Sequence, residues 1–149
     1  LYRSQQDVAA LIDEGMADVR LCKGAYDEPP TVAFPTKPEV DQNMLALCRQ
    51  LFDASAAHAA DLQLAVASHD DQIINYAKAY AYHHGIGRDR FEFQMLYGIR
   101  RDVQLALVKE GYKVRVYVPF GTAWYGYFMR RLAERPANLV FFLRALVGR

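Results

Sequence analysis

Four short, largely apolar runs, each followed by a longer stretch of helical periodicity, set the strongest limit on how this chain can fold. The runs are "DVRLC" (Asp18 to Cys22), "LQLAVAS" (Leu62 to Ser68), "FEFQML" (Phe91 to Leu96) and, from about Lys113 to Val118, the start of "KVRVYVPF". In "VDQNMLALCRQLFDASAAHAA", residues Met44, Leu45, Cys48, Leu51 and Phe52 share one helical face. "DDQIINYAKAYAYHHG" and "RRDVQLALVKEG" are the next helices, closed by Gly85 and Gly111. Strand-then-helix repetition predicts a parallel sheet whose strands are joined by crossover helices.

The ends of the chain extend this pattern. Ser4 is placed to cap a first helix with Val8, Leu11 and Ile12 on one face and Gly15 at its end. Beyond the fourth strand, "YGYFMRRLAER" reads as a helix, and Pro136 starts a last one, "ANLVFFLRALVG". The polar, proline-rich connection "AYDEPPTVAFPTKPE" is too long for a simple linker, and long connections in compact domains are often functional.

Four such units fit a doubly wound sheet or half of a (β/α)8 barrel. No GxGxxG turn is present, which weakens the dinucleotide-binding Rossmann alternative. Polar groups collect instead where strands lead into helices: Lys23, then Ser68 and His69, then Tyr97. In a barrel, active sites lie at those ends. A complete barrel needs roughly 200–250 residues, and a half barrel leaves two strand edges unpaired. The chain also opens at Leu1 on what reads as the tail of an element. Residues 1–149 are therefore expected to be one portion of a barrel domain, its last four strand–helix units plus a terminal helix, with the N-terminal strands absent.

Composition narrows the function classes. A formal net charge of +1 with no basic stripe leaves no electrostatic footprint for nucleic acid. Cys22 and Cys48 lack metal-type spacing and read as free buried thiols of a reducing compartment. His58, His83 and His84 fall on or at the ends of helices, so no metal site is expected. The apolar run "LVFFLRALV" is far shorter than the roughly 20 residues of a membrane span. A membrane-surface role stays open.

Several residues carry both a chemical and a plainly structural reading. Arg20 and Cys22 share a strand face, and a buried arginine needs an acceptor, which a carboxylate inside the barrel would supply. Gly24 and Ala25 permit close backbone approach by a ligand. His69 is as suited to a helix start or the surface as to catalysis, and Asp70 or Asp71 can simply cap the following helix. Tyr117 faces the barrel as core or as a ligand contact. Arg130 and Arg131 are adjacent on a helix, about 100° apart, and can fork around a carboxylate or form a solvated salt-bridge face with Glu134.

Taken together, "VRLCKGAYDEP", "FPTK" followed by "VD", "ASHDDQII", "FEFQMLYGIR", "VRVYVPFGTAWYGYFMRRLAERPAN" and "FFLR" resemble, in order, the proline dehydrogenase family of short bacterial flavoenzymes. The resemblance implies a distorted (β/α)8 barrel that holds FAD. It implies oxidation of L-proline to Δ1-pyrroline-5-carboxylate, electrons passed to a quinone, and a cytoplasmic location with peripheral attachment to the inner face of the membrane left open. It places Arg20 beside the flavin N5 edge as the catalytic residue, and Cys22, Lys23, Gly24, Ala25, Ser68 and His69 along the FAD site. Lys37 is implied near the cofactor's phosphate or adenosine part. Arg130 and Arg131 resemble the pair gripping the proline carboxylate, with Glu134 ordering them and Tyr117, Tyr127, Tyr26 and Leu96 walling the ring.

The pattern has departures: Ser68 stands where threonine is common, Cys22 for valine, Phe120 for tyrosine and Gly126 for proline. None removes a charged role. The family's first four strands are not in this chain, so it is expected to be inactive alone. Two other readings stay open at this point: a non-catalytic interaction module, and a (β/α) enzyme acting on another small carboxylate.

Overall fold

The computed structural model describes residues 1–15, 18–24, 28–57, 63–122 and 125–126. Its elements run α1 (Ser4–Asp13), β1 (Asp18–Cys22), α2 (Lys37–Ala57), β2 (Gln63–Ala67), α3 (Asp71–His83), β3 (Phe91–Leu96), α4 (Arg101–Lys109) and β4 (Lys113–Tyr117). The strands form one parallel sheet in the order β1-β2-β3-β4, so each connection returns the chain to the neighbouring position.

Alternation along the strands sorts the side chains into two faces. Leu21, Leu64, Val66, Phe91, Phe93 and Met95 point toward the helices and meet Met44, Cys48, Leu51, Phe52, Ile73, Ile74, Ala77 and Leu107 in one buried core. Phe91 and Phe93 pack edge-on at 5.5 Å between centroids, and Tyr112 lies 5.4 Å from Phe93. The opposite face carries Arg20, Cys22, Ala65, Ala67, Glu92, Gln94, Leu96, Arg115 and Tyr117, and no described helix covers it. Parallel sheets normally bury both faces. Here one face is open, and among the described strands β1 and β4 are the edges.

Two helix starts differ from the sequence expectation. Ser4 is the first residue of α1 rather than its cap; the cap position is Arg3, whose guanidinium pairs with Asp7 at 2.8 Å. No side chain caps this start; the i,i+4 ion pair and the acidic Asp7 support the first turn instead. Gly15 does close the turn after α1, at φ 71°, where a side chain would be strained. Helix α2 begins at Lys37, inside the run expected to be a connection. Glu39 reaches back to Thr36, accepting from its backbone N at 3.1 Å and its hydroxyl at 2.6 Å. This Thr-x-x-Glu arrangement satisfies donors that otherwise stay unpaired at a helix start.

Candidate active site

The strands' C-terminal ends bring together most of the described residues singled out in the sequence. Lys23, just past β1, lies 2.5 Å from Asp41 Oδ1 and 2.8 Å from Asp70 Oδ2. Lys37, in the first turn of α2, pairs with the other Asp41 oxygen and stands 3.8 Å from Asp70. Two lysines and two carboxylates thus share one cluster. Asp41 is itself buried, and both its carboxyl and that of Asp70 are held below the usual carboxylate range. For Asp41, burial acts in the opposite sense, and its bonds to the two lysines outweigh it. The two lysines differ in what they can still do. Lys23 is largely enclosed by its carboxylates, whereas the Lys37 side chain is three-quarters exposed and reaches the cluster from solvent, its amine already paired with Asp41.

Ser68 and His69 follow β2. The buried Ser68 hydroxyl accepts from Asp70 N at 3.1 Å, and Asp70 in turn caps α3 by accepting from Gln72 N at 3.0 Å. His69 Nε2 accepts from Leu96 N at 2.9 Å, which requires the tautomer protonated at Nδ1. Burial, and secondarily the Arg100 cation, hold this imidazole below its ordinary pKa. Arg100 donates to the His69 carbonyl at 3.0 Å and pairs with Asp71 at 2.8 Å. It does so from a left-handed backbone at φ 49°, the single non-glycine residue with positive φ among the described residues. Leu96 and Tyr117 are register partners at the exits of β3 and β4 and stand side by side on the open face. Tyr117 is half exposed, as its place on the uncovered face of β4 requires.

Lower on the same face lies a polar line that the sequence reading did not identify. Arg20 Nε donates to Gln94 Oε1 at 2.7 Å, and Gln94 Nε2 donates to Glu92 Oε1 at 2.6 Å. Arg115 completes the line, donating to both Glu92 oxygens at 2.6 and 3.0 Å. The partner of Arg20 is therefore an amide rather than a carboxylate, with the carboxylate one step further on. Arg20 and Gln94 lie on β1 and β3, about 10 Å apart by strand spacing. The residues between them on β2, Ala65 and Ala67, are small enough for the guanidinium to lie across that strand. The available signal was alternation: "FEFQML" puts Glu92 and Gln94 on one face and phenylalanines on the other.

Cys22 and Cys48 are both free, but only Cys48 is buried, with its thiol pushed up to about 12 by burial. Cys22 is exposed, against the expectation of two buried thiols, because it belongs to the open face, where its sulfur lies 3.5 Å from an Arg20 nitrogen. Ala25, Tyr26, Tyr127, Arg130, Arg131 and Glu134 lie outside the described residues. Among the described residues, no cluster of three or more His, Cys, Asp or Glu is disposed to hold a metal ion, and no helix is long and apolar enough to cross a membrane.

Comparison with known proteins gives this arrangement a family. The model of the family described as proline dehydrogenase matches residues 7–144. Proline dehydrogenase 2 of Bacillus subtilis (strain 168) is 50% identical over 147 residues, which are 98% of this chain and 46% of that protein. The proline dehydrogenase of Deinococcus radiodurans is 50% identical over 147 residues, 99% of this chain and 45% of its own length. The chain thus spans about half the length of the curated relatives it matches. In structure, it is similar to proline utilization A (PutA) from Bdellovibrio bacteriovorus, inactivated by N-propargylglycine, with a TM-score of 0.78 and 29% identity. That match covers 89% of this chain and 15% of PutA. The four-stranded parallel wall is accordingly a portion of a (β/α)8 barrel, seen from its open inner side. The chain belongs to the proline dehydrogenase family.

Proposed function

We propose that this chain supplies the C-terminal half of a barrel that oxidises L-proline to Δ1-pyrroline-5-carboxylate with bound FAD and passes the electrons to a quinone, the first step of proline degradation to glutamate. The observation that carries the reading is Arg20, a cation held on the open inner face directly below the strand exits that bear Lys23, Ser68 and His69. Catalytic groups of barrel enzymes come from such exits.

The residues present suit a flavin dinucleotide. Lys37 has a largely exposed side chain whose ammonium, paired with Asp41, has further protons to share with a phosphate, and the Ser68 hydroxyl keeps its own proton to donate. Gly24, just past β1, carries no side chain to stand between a ligand and the backbone. When bound, the flavin supplies the acceptor for the hydride equivalent leaving the proline carbon beside nitrogen.

The chain's own residues orient and insulate that step. Arg20 supplies fixed positive charge where negative charge develops, in a site that the missing strands would close from water. Leu96 and Tyr117 bury the methylenes of the proline ring, each worth about 0.8 kcal/mol. Arg130 and Arg131, ordered by Glu134, grip the carboxylate, and Tyr26 and Tyr127 complete the wall. Because the described wall has an open polar face and two unpaired edges, tight FAD binding and turnover are assigned to the whole barrel. The same reading carries a cytoplasmic location.

Anaerobic addition of L-proline to the intact protein tests this directly. The visible absorbance of bound flavin should bleach with proline. A protein that carries no flavin, or whose flavin is bleached only by a different small carboxylate, would remove the proposal.

A further inference from the structure

We propose that Gln94, Glu92 and Arg115 form a positioning relay that aims the Arg20 guanidinium across the inner face, so that the charge offered to the ligand from β1 is set from β3 and β4. The inference rests on the proposed function for what Arg20 meets, but its geometry stands on the four side chains alone.

The relay has only one arrangement that satisfies every member. An ionised carboxylate only accepts and a guanidinium only donates. Arg115 donates to both Glu92 oxygens, which anchors that carboxylate on β3. Facing Glu92, the Gln94 side chain must present its NH2. The amide cannot then flip, and its oxygen is turned toward β1, where it accepts from Arg20 Nε. With Nε tethered, the guanidinium plane is fixed and only the terminal nitrogens remain to serve a ligand; one of them rests 3.5 Å from Cys22 Sγ. A long, flexible arginine is thereby ordered before binding, which removes part of the entropy that a ligand would otherwise have to offset. The alanines of β2 keep the crossing clear.

The experiment reads Arg20 itself in the intact protein, without substrate or added cofactor. The Nε–Hε proton of Arg20, assigned by its loss in Arg20→Lys, is followed by NMR for its exchange with water. The relay predicts that Gln94→Leu speeds this exchange at least about ten-fold, the equivalent of losing one charge-assisted hydrogen bond. Arg115→Gln, on β4, should speed it several-fold although it never touches Arg20. Glu92→Gln, which keeps an acceptor, should fall between wild type and Gln94→Leu. Exchange unchanged in both Gln94→Leu and Arg115→Gln overturns the relay, and if Gln94→Leu fails to fold, Arg115→Gln alone decides it. A wild-type protein whose flavin proline does not bleach would remove the proposed function and leave this reading of Arg20 intact. In protein that does carry flavin, Gln94→Leu should slow reduction at saturating proline while the KM for proline changes less than two-fold.

Discussion

Lys23 Nζ stands 2.8 Å from one carboxylate oxygen of Asp70, while the other oxygen of that side chain caps α3 by accepting from Gln72 N at 3.0 Å. One aspartate thus ties the exit of β1 to the start of α3, across the end of β2. The two roles can be separated by substitution. Asp70→Asn keeps a cap and loses the charge; Asp70→Ala loses both. We expect Asp70→Ala to cost about 2–4 kcal/mol, about 1 kcal/mol of it from the cap, and Asp70→Asn to cost correspondingly less. Urea unfolding of the two variants checks this, and equal losses would show that the cap contributes nothing.

His69 predicts a pH dependence whose sign follows from its neighbours. Its folded-state pKa is depressed, first by burial and then by Arg100, so the neutral ring is favoured in the fold. Stability from this group is fully present above the unfolded value of about 6.5 and is lost as pH falls from there through the folded pKa. Protonation would also set an N–H against the Leu96 N–H. Denaturant midpoints should therefore drop between neutral and mildly acidic pH in the wild type and drop less in His69→Gln. An identical slope in the two proteins would count against the assignment.

The core makes a simpler demand. Phe93 is fully buried, edge-on to Phe91 and Tyr112. Phe93→Ala should cost about 3–5 kcal/mol. Tyr82, 81% exposed on α3, should tolerate alanine within about 0.5 kcal/mol. Unfolding measurements that failed to separate the two would contradict the placement of Phe93 in the core between sheet and helices and of Tyr82 on the outer face of α3.

How far the sequence could be read differs by feature, for physical reasons. Period-two alternation placed Arg20 and Cys22 on one face of β1, and β1 and β3 have the residues expected, Asp18–Cys22 and Phe91–Leu96. Strand order and register, by contrast, are properties of pairing between distant segments. Without them, nothing showed that Arg20 would meet Gln94, or that Arg115 would hold Glu92. The start of α2 was hidden because Pro35 and Pro38 read as breakers, although a proline in the first helical turn loses no bond and Thr36 with Glu39 forms a local cap. The exposure of Cys22 was misjudged because a lone cysteine is usually buried, and only the open face overrides that preference.

Arg130 and Arg131, which lie outside the described residues, owe their role to resemblance. If they grip the proline carboxylate, methionine at either position should raise KM for proline at least about ten-fold, the loss of one charge-assisted contact, with flavin content near normal. Steady-state kinetics beside a flavin-to-protein absorbance ratio checks it. Loss of flavin at unchanged KM would reassign the pair to the cofactor.

The open face around Arg20 is where, on the proposed function, proline meets the flavin. The most direct test is the anaerobic, stopped-flow rate of flavin reduction by proline in the intact protein and in Arg20→Met. Wild-type flavin should be reduced by proline, and Arg20→Met should retain flavin while reduction slows at least about ten-fold. Reduction at the wild-type rate in Arg20→Met would contradict it.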